Sequence, residues 1–144
     1  MIQSAGIAII DFFEEETPKV LCLRAYGLWD FPNGKLEDTE DLITAAKRET
    51  QEESGLSVED FQVLDVNPVS IQYRVGKNEK EATYFFAKRT SKKLPTLPVN
   101  PSLGRPEHDE WRWIPVKDLQ NIMPRRLTPI LEALLPLAFK DTSE

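Results

Sequence analysis

The chain has 144 residues, a formal charge of -6 and one cysteine, Cys22. Its length fits one domain over residues 1–144, and such a chain buries about two thirds of the surface it exposes unfolded, enough for a core without staples. A lone cysteine excludes an internal disulfide, the acidic balance argues against non-specific nucleic-acid binding, and no segment reaches the ~20 apolar residues of a membrane span.

In chain order, Ala5–Phe13 is dense in β-branched and aromatic residues and ends in acids, the pattern of a buried strand. It lacks a basic start, so it is not read as a signal peptide, and a cytoplasmic location is expected. After the turn "EEETP", Lys19–Tyr26 reads as the hairpin partner of the first strand, with Cys22 as a small buried hydrophobe. "GLWDFPNGKLED" holds two glycines, a proline and an Asn-Gly pair, so a loop is expected. Asp38 or Thr39 can cap a helix running to about Ser54, with Gly55 at its C′ position.

Phe61–Val66, Val69–Val75 and Glu81–Lys88 read as strands, the last two joined by the hairpin loop "GKNEK". Thr90–Pro106 carries four prolines and no periodicity. So long a loop is usually functional or disordered. Glu110–Ile114 reads as a short strand. Arg125–Phe139 reads as a closing helix, with Pro129 in its first turn and Pro136 kinking or ending it. This order points to an α/β fold, a mixed sheet with helices packed on it.

The first helix poses a chemical question. Leu42, Ala45 and Ala46 form one stripe at helical spacing, and Glu49, Glu52, Glu53 and Leu56 continue it. Like charges at these spacings repel by a few tenths of a kcal/mol per pair. Carboxylates at a helix C-terminus also oppose the dipole, at roughly 0.3–1 kcal/mol each when exposed. A hard divalent cation such as Mg²⁺, which takes carboxylate oxygens and substrate phosphates, relieves both penalties. Lys47 and Arg48 offer partial relief of their own.

Reading outward, Gly34, Glu40, Arg48-Glu49, Glu52-Glu53 and Gly55-Leu56 stand at the spacing Gly-x5-Glu-x7-Arg-Glu-U-x-Glu-Glu-x-Gly-U, with U a bulky aliphatic residue. By this motif the chain resembles the Nudix family. Thr50 departs from the usual aliphatic residue. At roughly 6% usage each, the fixed positions match by chance about once in 10⁸ starting points. The resemblance implies a Nudix fold, a mixed β-sheet sandwiched between helices (an α/β/α sandwich), and metal-dependent hydrolysis of a nucleoside diphosphate linked to another group.

By resemblance, Glu49, Glu52 and Glu53 ligate Mg²⁺ or Mn²⁺, Glu52 or Glu53 also orients water, and Arg48 holds a glutamate in place. The Asn33 carbonyl approaches the metal, although many members carry Gly-Gly where this chain has Asn33-Gly34.

Outside the box, "GLWDFPNGKLE", "RETQEESG", "KEATYFFA" and "EHDEWRW" resemble segments of asymmetrical diadenosine tetraphosphate hydrolases. Leu28 and Asn33 replace a histidine and a lysine common there. Carried over, Glu107 becomes a metal ligand or general base, or a surface acid, with Glu110 as the substitute if register slips. His108 is more often structural. Lys80 contacts a phosphate or is merely solvated, and Tyr84 stacks on a base or lies in the core. Trp29, Trp111 and Trp113 are most simply packing residues, Trp29 also able to border the pocket. Arg24, Lys35, Arg74 and Arg112 are candidate phosphate contacts.

The implied reaction converts diadenosine tetraphosphate to ATP and AMP. The alternatives are an RNA 5′ pyrophosphohydrolase, a nucleoside or pterin triphosphate pyrophosphohydrolase, or a nucleotide-sensing module. The expected partner is a small nucleotide substrate.

Overall fold

The computed structural model describes residues 1–139. Its strands are β1 (Ile2–Asp11), β2 (Lys19–Ala25), β3 (Leu28–Asp30), β4 (Asn33–Lys35), β5 (Phe61–Val63), β6 (Val69–Val75), β7 (Asn78–Arg89), β8 (Val99–Asn100), β9 (Arg105–Pro106) and β10 (Glu110–Pro115). Its helices are α1 (Leu42–Ser54) and α2 (Thr128–Ala138), the latter preceded by short 3-10 turns at Val116–Asn121 and Arg125–Leu127. No helix among the described residues is long and apolar enough to cross a membrane.

The main sheet runs β10-β2-β1-β7-β5. β1 and β7 pair in parallel from Ile2↔Lys80 to Ile10↔Lys88, and the other pairs are antiparallel. β1 is therefore covered on both faces, which is why it reads as a nearly continuous apolar run. Ala5, Ile7 and Ile9 pack with Ala45, Ala46 and Leu56 of the α1 side. Ala8 and Ile10 pack with Ile130, Leu134 and Ala138 of the α2 side. Each fully buried isoleucine contributes about 1.5–3 kcal/mol. One helix thus lies on each face, as the sandwich reading expects.

Along its other edge, β1 splits its partners. Ile10 and Asp11 pair with β2, whereas Ser4–Gly6 pair with β4. The Phe31-Pro32 corner fills the fork, where the Ile7 N–H donates to the Pro32 carbonyl at 3.0 Å. A Cβ at Gly6 would lie 2.3 Å from that oxygen, so only glycine lets the corner approach.

Several local expectations change. "GLWDFPNGKLED" contains β3 and β4, because Tyr26 and Gly27, both at positive φ, make a two-residue turn that folds β3 onto β2. The β6–β7 turn is only Gly76-Lys77, with Asn78–Lys80 already in the ladder. α1 is capped by Asp41, whose side chain accepts from the Thr44 N–H at 2.9 Å. Neither Asp38 nor Thr39 caps it, since the Glu40 N–H closes a turn onto the Glu37 carbonyl first. Gly55 does terminate α1 in the left-handed region (φ 74°).

Pro136 lies inside α2, which continues to Ala138. The Thr90–Pro106 segment is held down. The Thr96 N–H donates to the Ser54 carbonyl at 2.8 Å, and Arg89 donates to the carbonyls of Ser91 and Lys93. Its second half folds back as the β8–β9 hairpin.

Candidate active site

α1 is a local product of its sequence, but its position is set by two close backbone approaches. Ala45 and Ala46 sit flat on β1, and Thr50 is buried with its hydroxyl donating to the Ala46 carbonyl at 2.7 Å. Thr50 thus satisfies its own polar group at a position where the motif usually carries an aliphatic side chain. Opposite, β4 brings Gly34 against Glu49. A Cβ at Gly34 would fall 2.1 Å from the Glu49 carboxyl carbon, so the absence of a side chain makes room for the carboxylate.

Arg48 organises the acids. Its Nε and Nη2 donate to Glu40 at 2.8 and 2.9 Å, its Nη1 to Glu49 at 2.9 Å and Glu52 at 3.1 Å, and its Nη2 also to the Lys35 carbonyl at 3.0 Å. The planar fork grips Glu40 through two N–H groups and still reaches Glu49, Glu52 and the Lys35 carbonyl, a geometry that the compact ammonium of a lysine does not reproduce. Its hydrogen bonds hold the Glu40 carboxyl down to about 2.

Glu53 is different. Its carboxylate is buried and receives the Asn33 N–H at 3.0 Å, the one hydrogen bond it has among the described residues. Burial first, then the neighbouring Glu107 carboxylate, push its pKa well above the usual range. Glu49 is also raised, chiefly by burial and against the pull of Arg48. Donor atoms of Glu53, Glu107 and His108 lie within 4.8 Å of one another. Burial holds His108 below its ordinary pKa and so favours neutral imidazole, opposed by the Glu107 charge.

These observations test whether a cation fits. A buried carboxylate that, among the described residues, has no basic partner and faces a second carboxylate and a neutral imidazole is costly unless a positive charge joins it. The donor set is mostly oxygen, which suits a hard divalent ion. Glu49 and Glu52 stand at the rim of that group and are turned towards Arg48. Glu53 faces inward as the stripe implied, whereas Glu52 is exposed. The chain contributes the Asn33 N–H as the Glu53 partner. The carbonyl contact implied by resemblance is a separate interaction from the one described.

Two cavities meet at these acids. One, of about 670 Å³, lies between α1 and the β8–β9 hairpin. The other, of about 940 Å³, lies against β3, β6 and the start of β7. Lys35 borders both, and Lys80 lines the larger. Arg74 and Trp29 also line the larger cavity. Arg24 and Arg112 instead pair with acids of β10 and the loop before it, Arg24 with Asp109 at 2.9 Å and Arg112 with Glu110. Glu110 is paired with both arginines and is not part of the Glu53–Glu107–His108 group.

Tyr84 corrects one expectation. Its side chain is fully buried, packs edge-on against Phe31, and donates its hydroxyl to Asp30 at 3.0 Å. No ring face is left for a base, because alternation along β7 turns residue 84 into the core.

Reasoning from the sequence missed Asp30 and Arg126. Arg126 donates to Asp30 at 3.0 Å and stacks over Tyr73 at 4.8 Å, tying the turn before α2 to the active-site corner. The only sequence signal was a basic pair, Arg125-Arg126, in a proline-flanked turn.

A mixed sheet covered by a helix on each face, with carboxylates from α1 and from the loop before β10 converging on one cleft, defines an α/β protein with a candidate acidic cation site. The chain belongs to the NUDIX family: the NUDIX domain model matches residues 3–137. An RNA pyrophosphohydrolase of Teredinibacter turnerae is 34% identical over 107 residues, which span 67% of this chain and 63% of that protein. An RNA pyrophosphohydrolase of Shewanella frigidimarina is 30% identical over 125 residues, 77% of this chain and 69% of the relative. A C. elegans Ap4A hydrolase binary complex shares the fold, with a TM-score of 0.85 at 22% identity over 98% of this chain and 100% of that one.

Proposed function

We propose that the chain hydrolyses a pyrophosphate linkage of a nucleoside polyphosphate with a divalent cation, Mg²⁺ or Mn²⁺, and that its substrate is diadenosine tetraphosphate, cleaved to ATP and AMP. The observation that carries the chemistry is Glu53, a buried carboxylate facing Glu107 and His108 with no basic partner among the described residues. Glu49, Glu52, Glu53 and Glu107 would hold the ion, which when bound neutralises polyphosphate charge and lowers the pKa of water. Arg48 fixes the orientation of Glu49 and Glu52 through its guanidinium.

In the reaction, a water oxygen bonds to phosphorus. The bridging P–O bond breaks and its electron pair leaves with the departing phosphate. Glu107, exposed on the cleft side, is placed to accept the water's proton. Lys35 and Lys80, both lining the larger cavity, offer cations to the phosphate chain. The substrate is supported by the resemblance of the Gly27–Glu37 and Glu107–Trp113 segments, and by the full-length fold likeness to a C. elegans protein named for Ap4A.

A second reading is favoured by one observation: the relatives above 30% identity from Teredinibacter and Dinoroseobacter are named RNA pyrophosphohydrolase. One experiment separates the two. The protein and Mg²⁺ are incubated with diadenosine tetraphosphate, nucleoside triphosphates and 5′-triphosphorylated RNA, and products are resolved by chromatography. ATP plus AMP supports the first reading. ADP as the sole product contradicts it, and preferential release of pyrophosphate from RNA replaces it with the second.

A further inference from the structure

The two cavities meeting at the acids differ in charge. Apart from the residues they share, the larger is lined by Arg74, Lys80 and Arg126 against one acid, Asp30. The smaller has Arg48 against Glu37, and the Arg48 guanidinium is already engaged by Glu40, Glu49, Glu52 and the Lys35 carbonyl. Among the described residues, the smaller cavity therefore offers no free cation of its own to a phosphate. Its outer wall is instead apolar. Leu97, Val99 and the prolines 98, 101 and 106 line it, and Val99 is 62% exposed although hydrophobic. The β8–β9 ladder presents this wall as a fixed surface. The aromatic rings exposed to the cleft, those of Tyr26, Trp29 and Tyr73, are all on the cationic side.

We propose that the smaller cavity is a second subsite for a nucleoside arm that brings only its first phosphate to the acids, and that the charge difference between the cavities sets the register of cleavage. This rests on the dinucleoside reading of the site. Three linked phosphates carry more negative charge than one. Arg126 is paired with Asp30 at 3.0 Å and Arg74 stands 3.9 Å from Glu79, which leaves Lys80 as the cation of that side without an ion pair among the described residues. The longer chain is stabilised on the Lys80 side, and the neutral nucleoside of the other arm lies against Leu97, Val99 and the prolines. The bond placed at the acids is then the one between the first and second phosphates of the arm on the hairpin side. Hydrolysis there yields one triphosphate and one monophosphate, so asymmetric products follow from the lining of the cleft. A 5′-triphosphorylated substrate placed to release pyrophosphate into the smaller cavity would find there no cation beyond the shared Lys35.

The test compares diadenosine tetraphosphate with adenosine 5′-tetraphosphate, which has no second nucleoside to place in the smaller cavity. Both are assayed with Mg²⁺ in the unchanged chain, in Val99→Asp and in Lys80→Gln. Val99 is exposed on a short edge hairpin, so an aspartate there does not disturb the core, and a melting curve checks that it has not. Removing one apolar contact and placing a charge in that wall is expected to lower the ratio of kcat/KM, dinucleotide over mononucleotide, by about tenfold or more. Lys80→Gln, on the other side, is expected to lower both values together and leave the ratio within about twofold of that of the unchanged chain. An unaltered ratio in Val99→Asp, with diadenosine tetraphosphate still hydrolysed to ATP and AMP, overturns the subsite and leaves the function standing. Failure of the unchanged chain to hydrolyse either compound overturns the function, and the subsite with it.

Discussion

Gly34→Ala isolates the geometric demand of the site from its chemistry. The substitution adds one methyl group and removes no functional atom. Gly34 is not at positive φ, so its backbone accepts alanine without strain. The new Cβ would lie 2.1 Å from the Glu49 carboxyl carbon, where ordinary contact begins near 3.4 Å, and the carboxylate must retreat by about 1.3 Å. Misplacing a catalytic group by ~1 Å costs about 10²-fold, which corresponds to about 2.7 kcal/mol of transition-state stabilisation. The expected result is a fall of about 100-fold in kcat/KM for diadenosine tetraphosphate, with a higher Mg²⁺ concentration needed for half-maximal rate. The melting temperature should stay nearly unchanged, because the new methyl meets only the far end of the Glu49 side chain, which can move, and the Ala5↔Gly34 backbone pairing of β1 and β4 is kept. Turnover within threefold of the unchanged chain, with the same Mg²⁺ dependence, would refute the reasoning, since it would mean that Glu49 need not occupy the space Gly34 leaves open.

Glu53→Gln should abolish Mg²⁺-dependent turnover while the fold persists, and wild-type activity in that variant would sink the assignment of Glu53. In metal-free protein the folded state holds the Glu53 proton to higher pH than the unfolded chain does. Stability should therefore fall as pH rises above the ordinary carboxylate range. Added Mg²⁺ should restore it by mass action, and a metal-free melting temperature that rises across that window would contradict this. Arg48→Lys keeps the charge but loses the fork to Glu40, Glu49 and Glu52. With hydrogen bonds to charged groups contributing about 1.5–3 kcal/mol, kcat/KM should fall at least tenfold in steady-state assays. Arg89, buried on Asp11 at 2.9 Å and stacked on Trp113 at 4.3 Å, is a structural cation. Arg89→Leu strands Asp11 and should cost about 3–5 kcal/mol in denaturant unfolding, with much of it recovered by adding Asp11→Asn.

The legible part of the site is the part carried by one helix. Glu49, Glu52 and Glu53 are placed on one side of α1 by a 3.6-residue period, so their nearness follows from spacing, although the inward turn of Glu53 and the exposure of Glu52 do not. Glu40, just before α1, and Arg48, eight residues on, are legible through the same motif. Glu107 was readable only by resemblance. That it meets Glu53 depends on β10 pairing with β2, which brings the preceding loop over α1. The sequence reads His108 as more often structural, and its ring lies within 4.8 Å of the Glu53 and Glu107 donor atoms, a proximity that no local pattern announces. The Asp30–Arg126 pair joins residues 96 apart, and no local pattern announces it. Tyr84 shows the opposite failure. A motif position suggested a ligand contact, and packing on Phe31 placed the ring in the core.

By itself the sequence determined the α/β class, the two helices, most strands, the Gly55 stop and the acidic set on α1, because each depends on periodicity or residue chemistry within about a dozen positions. Tertiary structure alone decided which carboxylate is buried without a basic partner among the described residues, how closely Gly34 admits Glu49, and how the Thr90–Pro106 segment becomes a wall of the cleft. Those outcomes turn on which strand edges meet and how near two backbones come. Such distances are set by the whole sheet, and no short stretch of chain contains them.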